Sequence, residues 1–265
     1  MREAFDHIAT AYDEVFTTSA TGQLQRDHVR GYLTGVMPQM KGSSILELNC
    51  GTGEDAVWFG IRGFDVVATD ISPEMLKVTQ KKAQQFSLEQ YISTQRLDVN
   101  SFGDAVFSRK FDLVFSNFGG LNCIDPETMS RFFHELPNIL NPGGRFIGVI
   151  MPKFCTWETL FFLYKLQFGQ AFRRLTSKAV MANLHGVSLK TWYYRPSDIQ
   201  ERSLGNFKLV GLRPLGIALP PSYLENFFRS RRGWLGRLNV LEKRMSGAPV
   251  FSGMADHFII DLELR

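Results

Sequence analysis

Residues 45–60, ILELNCGTGEDAVWFG, join a short apolar run to a loop that contains two glycines. This order is typical of a buried strand that turns into a helix at a nucleotide-binding site. Gly51 and Gly53 can adopt backbone conformations that other residues avoid, and they allow a ligand to approach the main chain. The dinucleotide fingerprint is incomplete, because its third glycine is missing and Asn49 and Cys50 stand where a glycine turn usually begins.

Two acids follow the loop, and they restrict the ligand that it can hold. A phosphate-binding Walker loop requires lysine after its last glycine, whereas Gly53 is followed by Glu54 and Asp55. Carboxylates in the first turn of a helix suit the helix dipole but repel a phosphate. The loop therefore favours a ligand with a positive charge or an amine. The alternative is a tight strand-to-helix turn that binds nothing.

Polar residues also end the next three predicted strands. Asp70 ends the second strand, where a carboxylate can accept hydrogen bonds from both hydroxyls of a ribose. Asp98 ends the third, where a carboxylate can accept from an exocyclic amine such as that of adenine. The fourth ends in the small and amide residues of SNFGGLN. A helix cap at Asp70 and a turn residue at Asp98 are the alternatives, but four consecutive tips of this kind favour a ligand site.

Alternating strands and helices between residues 44 and 151 would position the polar residues at these strand ends. The apolar strands and short connections predict a parallel sheet covered on both faces, a Rossmann-like doubly wound α/β fold. Ser72 with Pro73, and Asp125 with Pro126, give two helices a capping side chain followed by proline. The predicted strands are SILEL, FDVVATD, YISTQRLDV, FDLVFSNF and RFIGVIM, the last after an NPGG turn, and the helices are GEDAVWFGIRG, SPEMLKVTQKKAQQF and DPETMSRFFHELPNIL.

The rest of the chain adds elements at both ends of this core. Apolar residues at three- and four-residue steps predict a helix over 5–16, and a second covers 23–37 and ends at Pro38. We expect one domain over 1–265, with an N-terminal helical cap at 1–40 and lid additions at 152–192 and 220–248. After Pro152 the predicted order is a helical stretch over 154–185, a strand in VSLKTWYY, a helix in RPSDIQERSL capped by Ser197 or Asp198, a strand in FKLVGLRPLG, helices over 222–245 and a strand in ADHFIIDLEL.

Composition and charge exclude several classes of protein. The chain has 265 residues, of which 44% are hydrophobic and 21% charged, and this argues against disorder. A net charge of +4 is mild for this length and disfavours a nucleic-acid-binding protein. Cys50, Cys123 and Cys155 lie far apart, so neither a disulfide framework nor a metal site is expected. Without a secretory leader or a long apolar run, the protein is expected to be cytoplasmic, with peripheral membrane contact as a further expectation.

The order of these motifs resembles that of the class I S-adenosylmethionine-dependent methyltransferases, in the branch that acts on small molecules. ILELNCGTG is similar to the first family motif, with Asn49 in place of the usual first glycine, a variant that Gly51 and Gly53 can accommodate. VVATDISPEML, RLDV, FDLVFSNFGGLN and LNPGGRFIGVI match the later motifs, and AFDHIATAYDEVF is similar to the helix that closes over the cofactor. The resemblance implies a mostly parallel seven-stranded sheet with helical lid insertions after strands 5 and 6.

The resemblance also implies which residues bind S-adenosylmethionine, and S-adenosylhomocysteine after transfer. This cofactor carries an ammonium and a sulfonium but no phosphate, which suits a loop surrounded by acids. Glu47, Asn49, Gly51 and Gly53 would line the methionine portion, and Asp70 would hold the ribose hydroxyls. Ile71 and Met75 would lie beside the adenine, and Asp98, flanked by Leu97 and Val99, would accept from its amine. Ser116 and Asn117 would face the sulfonium, and Tyr12 would close the pocket.

Methyl transfer by in-line displacement is the reaction that the resemblance implies. The protein would mainly position and desolvate the reactants, and a general base is needed only if the acceptor must lose a proton. No motif assigns that role to a histidine, so no catalytic residue is named. Tyr193 and Tyr194 either line the acceptor pocket or pack in the core. The histidines considered are His7, His28, His134, His185 and His257.

Two segments, FCTWETLFFLYKLQFGQAFRRLTSKAV and SYLENFFRSRRGWLGRLNVLEKRM, mix aromatic with basic residues. They favour a lipophilic small-molecule acceptor, or docking at an anionic membrane. Lid helices with solvated basic faces are the alternative. Three other functions stay open: an NAD-dependent oxidoreductase, an RNA methyltransferase, and a non-catalytic S-adenosylmethionine-binding protein.

Overall fold

A computed structural model of the protein describes residues 6, 19–37, 43–184, 187–221, 224 and 232–265. The strands in this part of the chain are β1 (Ser44–Leu48), β2 (Asp65–Asp70), β3 (Ile92–Arg96), β4 (Phe111–Ser116), β5 (Leu140–Ile150), β6 (Val180–Leu184), β7 (Val187–Thr191), β8 (Phe207–Leu215) and β9 (His257–Leu264). The helices are α1 (Ala20–Val36), α2 (Glu54–Gly60), α3 (Pro73–Gln85), α4 (Pro126–Glu135), α5 (Thr156–Tyr164), α6 (Phe168–Ala171), α7 (Pro196–Ser203) and α8 (Arg232–Met245).

A seven-stranded sheet in the order β3-β2-β1-β4-β5-β9-β8 forms the centre of the molecule. The first five strands pair in parallel, whereas β9 is antiparallel to both β5 and β8. The chain order reverses between β1 and β4, and such a switch point opens a crevice beyond the carboxyl ends of the strands. The predicted doubly wound, mostly parallel sheet of seven strands is therefore confirmed.

Alternate residues of each strand pack on opposite faces of the sheet, as the pleat requires. Ile45 and Phe115 lie in one core cluster with residues of α1, α2 and α3. Leu46 and Val114, their chain neighbours, lie in a second cluster with residues of α4 and α7. Both faces of the central strands are thus buried, which explains why their sequences read as continuous apolar runs rather than alternating ones.

The helix start signals operate as predicted at α3 and α4. The Ser72 hydroxyl accepts a hydrogen bond from Met75 N at 3.1 Å, and the Asp125 carboxylate accepts from the amides of Glu127 and Thr128. Helix α1 begins three residues before the predicted Gln23, because Ser19 caps it by accepting from Gly22 N at 3.0 Å. Each cap satisfies amides that have no partner inside the helix.

Three predicted elements differ in the structure. The NPGG segment is part of β5 rather than a turn, since Leu140 already pairs with Phe111 and a bulge absorbs the proline and glycines. Arg195 is the N-cap of α7, so neither Ser197 nor Asp198 caps it; Asp198 instead accepts from Arg195 N at 2.8 Å. The stretch 154–185 is not helical throughout, because β6 pairs with β7 as a hairpin outside the main sheet.

The insertions follow β5 and β8, which are the fifth and sixth strands of the main sheet in chain order. Apart from Asp6, the predicted first helix lies outside the described residues, as do Pro38, His185 and most of 222–231. None of the described helices is both long and apolar enough to cross a membrane.

Candidate functional site

The loop after β1 contains three residues with left-handed backbone geometry. The φ angles are 52° at Asn49, 53° at Gly51 and 78° at Gly53. Asparagine is among the few residues other than glycine that adopt this conformation readily. Asn49 therefore reproduces the conformation of the glycine that the motif lacks. Its side chain lies against Gly120, where an added Cβ would be 2.5 Å from Asn49 Nδ2.

Thr79 of α3 supports this loop from beneath, and it was not among the predicted site residues. Its hydroxyl donates to Gly51 O at 3.1 Å and to Met75 O at 3.1 Å. A Cβ added to Gly53 would lie 2.5 Å from Thr79 Cγ2. The signal for Thr79 was present in the sequence, since it falls on the buried face of α3 with Met75 and Ala83 at helical spacing.

We expect Gly53→Ala to destabilise the protein through both contact and backbone strain. The left-handed φ costs an alanine about 1–2 kcal/mol, and overpacking against Thr79 adds about 1–3 kcal/mol. Gly63→Ala is the matched control, because Gly63 has a φ of 81° but nothing within 4 Å of an added Cβ. Urea unfolding of the two variants separates the effects. Equal losses of unfolding free energy would contradict a role for the contact with Thr79.

Asp70, at the end of β2, fixes the position of the glycine loop. One carboxylate oxygen accepts from Gly51 N at 3.0 Å and the other from Ser72 N at 2.9 Å. Burial raises the pKa of Asp70 above its ordinary value, although these amide bonds oppose the rise. The side chain joins the tips of the first two strands, and its binding of ribose stays a prediction.

Three polar atoms near this edge of the sheet are buried without a hydrogen-bond partner among the described residues. They are Glu47 Oε2, Asn49 Nδ2 and Ser116 Oγ. The pKa of Glu47 is raised well above its ordinary value, first by burial and then by the charge of Asp55, while Arg26 and Arg30 act in the opposite direction. Buried polar groups in native proteins are normally satisfied, so a ligand that supplies partners for these atoms would suit this edge of the sheet.

The two acids that open α2 are already neutralised. Glu54 Oε1 lies 2.5 Å from Lys82 Nζ. Asp55 is buried and pairs with Arg26 and with Arg30, whose Nη2 is 2.9 Å from Asp55 Oδ1. The reason given for disfavouring a phosphate is therefore corrected, because the charge of these acids is balanced within the protein. The carboxylate oxygen without a hydrogen-bond partner among the described residues is Glu47 Oε2 instead.

Asn117 and Phe118 shape the end of β4. Asn117 Nδ2 donates to Asp55 Oδ2 at 2.7 Å, so its amide holds α2 to β4. Phe118 has a φ of 42°, a strained value for a bulky residue. Its ring lies between the Arg26 guanidinium, 5.1 Å away, and the His257 ring, 5.7 Å away. No local pattern pointed to Phe118, since tertiary contacts hold it there.

Asp98, which follows β3, makes hydrogen bonds within its own turn. Asp98 Oδ1 accepts from the backbone amide of Asn100 at 2.9 Å and from its side-chain amide at 2.8 Å, so Asp98 also caps a turn. Leu97 and Val99 belong to the second core cluster. Ile71 is half-buried and Met75 is buried. Contacts of these residues with adenine stay predictions, and Tyr12 lies outside the described residues.

Beyond β4, Asn122 joins the core to the first insertion. It is buried; its Nδ2 donates to Met151 O at 3.1 Å and to Trp192 O at 2.6 Å. Tyr194 lies in the second core cluster and its hydroxyl donates to Ile124 O. Of the two readings left open for Tyr194, the structure supports core packing. Tyr193 is buried beneath the Arg174 guanidinium, 5.0 Å from its ring centre.

A buried ionic network fixes the insertion to the sheet. Arg174 Nη2 lies 2.8 Å from Glu158 Oε2 and 3.2 Å from Asp256 Oδ1. His257 Nδ1 is 3.3 Å from Asp256 Oδ2, and Gln25 of α1 donates to the same oxygen. Burial alone would raise the pKa of Asp256, but the charges of His257 and Arg174 hold it below its ordinary value.

Within the part of the chain that the structure describes, the other histidines show no catalytic arrangement. His28 Nε2 lies 2.7 Å from Asn239 Oδ1, which joins α1 to α8. His134 lies in the last turn of α4, and His7 and His185 are outside the described residues. Within the described ranges, no group of three or more His, Cys, Asp and Glu side chains is arranged to hold a metal ion.

Comparison with known proteins shows which family model and which relatives the core of the chain resembles. Residues 45–144, which include the loop, Asp70 and the end of β4, match the methyltransferase domain family. A demethylmenaquinone methyltransferase of Clavibacter sepedonicus is 29% identical over 143 residues, covering 54% of either chain. One of Paenarthrobacter aurescens is 28% identical over 165 residues, covering 62% of this chain and 60% of its own.

Over this region the chain resembles the class I S-adenosylmethionine-dependent methyltransferases. It spans about half to three fifths of the length of these curated relatives. A methyltransferase structure from Clostridium acetobutylicum shares the fold over 98% of both chains, with 15% identity and a TM-score of 0.59. The structure of the [4+2]-cyclase SpnF covers 99% of this chain and 94% of its own, with 14% identity and a TM-score of 0.65.

The donor set at the sheet edge fits the cofactor of this family. Glu47 Oε2, which has no partner among the described residues, suits the ammonium of S-adenosylmethionine, and Asn49 Nδ2 can donate to its carboxylate. Glu47 and Asn49 flank Leu48 at the end of β1, next to the left-handed turn that exposes the backbone of Gly51 and Gly53. The residues present thus suit a cationic nucleoside without phosphate.

Proposed function

We propose that this protein transfers the methyl group of S-adenosylmethionine to a small, lipophilic acceptor. The observation that carries the proposal is Glu47, a buried carboxylate whose Oε2 has no partner among the described residues and whose pKa is raised. Because burial raises its pKa, the ionised form of this carboxylate costs stability unless a cation pairs with it. The ammonium of the cofactor supplies that cation, whereas the pyrophosphate of a dinucleotide would oppose it.

The proposed contacts follow the strand tips. Glu47, Asn49 and the loop of Gly51 and Gly53 take the methionine portion, and Asp70 takes the ribose. The adenine lies between the residues after β2 and those after β3, near Ile71, Met75, Leu97, Asp98 and Val99. Ser116 and Asn117 face the sulfonium, and Tyr12 covers the site.

The cofactor, when bound, supplies a methyl group on a positively charged leaving sulfur. The protein's own part is to hold the acceptor in line and to exclude water, and alignment of this kind contributes up to about 7–11 kcal/mol. Phe118, Arg26 and His257 lie together next to Ser116 and Asn117, and they support an acceptor site on the side of the ionic network. No general base is assigned.

The nature of the acceptor is supported by two observations. The relatives compared above are named demethylmenaquinone methyltransferases, and such a quinone is lipophilic. The insertion after β5 is rich in aromatic residues, which suit an apolar molecule. Three free, separated cysteines support a reducing, cytoplasmic setting for the activity. The fold by itself does not fix the reaction.

The test uses purified protein with methyl-labelled S-adenosylmethionine. We expect label to enter the organic extract when a lipophilic naphthohydroquinone is supplied, and not when RNA is supplied. Label in RNA would assign the protein to RNA methylation. Tight cofactor binding by calorimetry, without label in any fraction of a cell extract, would overturn methyl transfer and leave a cofactor-binding protein.

A further inference from the structure

An apolar surface covers the outside of the insertion that follows β5. Within one short region of chain, seven large apolar side chains are exposed although the core of the protein is closed beneath them. We call this set the insertion patch; its members are Leu160, Tyr164, Leu166, Phe168, Phe172, Leu175 and Met181. Isolated exposed apolar residues are common, but a cluster of this size marks an interaction surface.

The patch is held in place by buried ionic contacts. Glu158 in α5 pairs with Arg173 at 2.8 Å and with Arg174 at 2.8 Å, and Arg174 reaches Asp256 at the start of β9. Thr159 adds a hydrogen bond to Ala171 O at 3.1 Å, which joins α5 to α6. The apolar side chains are therefore presented outward by a rigid base.

The charge around the patch has one sign. Between residues 159 and 197 the sequence contains no Asp or Glu, and its basic residues are Lys165, Arg173, Arg174, Lys178, Lys190 and Arg195. Arg173 and Arg174 point inward to Glu158, whereas Lys165, Lys178 and Lys190 are exposed. Lys165 extends over Phe161, with Nζ 4.3 Å from the ring centre, so that its stem covers apolar surface while its charge stays outside.

We propose that the insertion patch docks the protein on an anionic membrane surface. Aromatic and aliphatic side chains that enter the interface, flanked by lysines, are the combination that binds peripherally to anionic lipid. Helix α8 adjoins this region, since Leu235 and Leu238 pack with Trp157 and Phe161, and it adds the exposed Trp234. A second copy of the chain fits this surface poorly, because a twofold contact would oppose the same lysines.

Binding of the protein to lipid vesicles, measured without cofactor, tests the proposal. A lack of vesicle binding would not affect the proposed methyl transfer, and a lack of methyl transfer would not affect the proposed membrane docking. We expect the full chain to sediment with vesicles that contain about 30% phosphatidylglycerol, much less with pure phosphatidylcholine, and less as salt is raised. The triple variant Tyr164→Ser, Leu166→Asn, Phe168→Ser is expected to lower the partition coefficient by about tenfold or more. Asparagine is chosen at Leu166 because φ is 56° there.

A matched control replaces exposed apolar residues elsewhere. Val106 and Val250 are 83% and 75% exposed, comparable with 88% at Tyr164 and 75% at Leu166. Val106→Ser, Val250→Ser is expected to bind vesicles like the wild type, and both variants should keep their melting temperature. A second variant, Lys165→Gln, Lys178→Gln, is expected to lower binding to anionic vesicles by roughly tenfold.

Three results would overturn the proposal. The first is equal vesicle binding by the triple variant and the control. The second is the absence of binding to anionic vesicles by the wild type. The third is concentration-dependent self-association that the triple variant abolishes while vesicle binding stays unchanged, which would assign the surface to a second copy of the chain.

Discussion

Replacing Asp70 with asparagine is expected to weaken binding of S-adenosylmethionine by about 100-fold, which corresponds to roughly 3 kcal/mol. The carboxylate accepts from Gly51 N and Ser72 N with separate oxygens. Asparagine has only one acceptor oxygen, so one of these amides would face an NH₂ group. The loop then loses its position, and the proposed ribose contact loses its charged acceptor, each at a cost of about 1.5–3 kcal/mol.

Calorimetric titration with S-adenosylhomocysteine measures this effect, with Asp65→Asn as the matched control. Asp65 lies at the other end of β2 and pairs with Arg109 on the surface. We expect the control to bind the cofactor product like the wild type. If Asp70→Asn binds within threefold of the wild type, neither the loop-positioning role nor the ribose assignment stands.

The Glu47→Gln variant is expected to change stability and affinity in opposite directions. Without ligand, the native wild type must either keep Glu47 protonated or bury its charge, and glutamine removes this cost, so the substitution should raise the free energy of unfolding at pH 8 by about 1–3 kcal/mol. With the same substitution the cofactor's ammonium loses its carboxylate partner, so the dissociation constant should rise about 10- to 100-fold. A purely structural glutamate would not give this pairing of effects.

The pH dependence of stability gives a second signature of Glu47. The pKa of Glu47 is raised in the folded protein, whereas in the unfolded chain it is about 4.3. The native state therefore keeps the carboxyl protonated at pH values where the unfolded chain has released the proton. Stability contributed by this group is therefore fully present below about pH 4 and is lost as pH rises through the raised folded pKa. The advantage of Glu47→Gln over the wild type should accordingly grow from pH 4 to pH 8.

Thermal melts over this pH range, with and without S-adenosylhomocysteine, provide the measurement. Glu263→Gln is the control, since Glu263 is a strand carboxylate that pairs with Lys208 at 2.7 Å near the surface. A variant that is less stable than the wild type at pH 8, or that binds the ligand equally well, would contradict the assignment of Glu47 to the ammonium.

Local signals in the sequence were enough to place much of the framework. Ser72 with Pro73 and Asp125 with Pro126 started their helices where predicted, because a cap depends on residues within one turn. The strands from β1 to β4 were recognisable because a parallel strand buried on both faces must be apolar along its length. The polar residues at their ends followed from the same pattern, and so did Asp70 at the crevice.

Other features depended on partners far away in the chain. The stretch 154–185 of the insertion after β5 was predicted to be helical, yet Val180–Leu184 forms a strand that pairs with Val187–Thr191 outside the main sheet. The charge of Asp55 could not be judged from its neighbours, because Arg26 and Arg30 approach from α1 and Asn117 from β4. The sequence reasoning therefore overstated the effect of the Asp55 charge on a ligand.

By itself, the sequence determined the order of the strands and helices and placed carboxylates and glycines at the carboxyl ends of the first four strands. It did so because periodicity, caps and turn residues act over a few neighbours. Only the tertiary structure decided which carboxylate near the glycine loop has ionic partners and which has an oxygen without a hydrogen-bond partner. Asp55 and Glu47 lie eight residues apart, but two arginines of α1 reach Asp55 while Glu47 Oε2 stays buried without a partner among the described residues. That difference arises from packing between elements distant in sequence, where burial and the position of each cation set the cost of a charge.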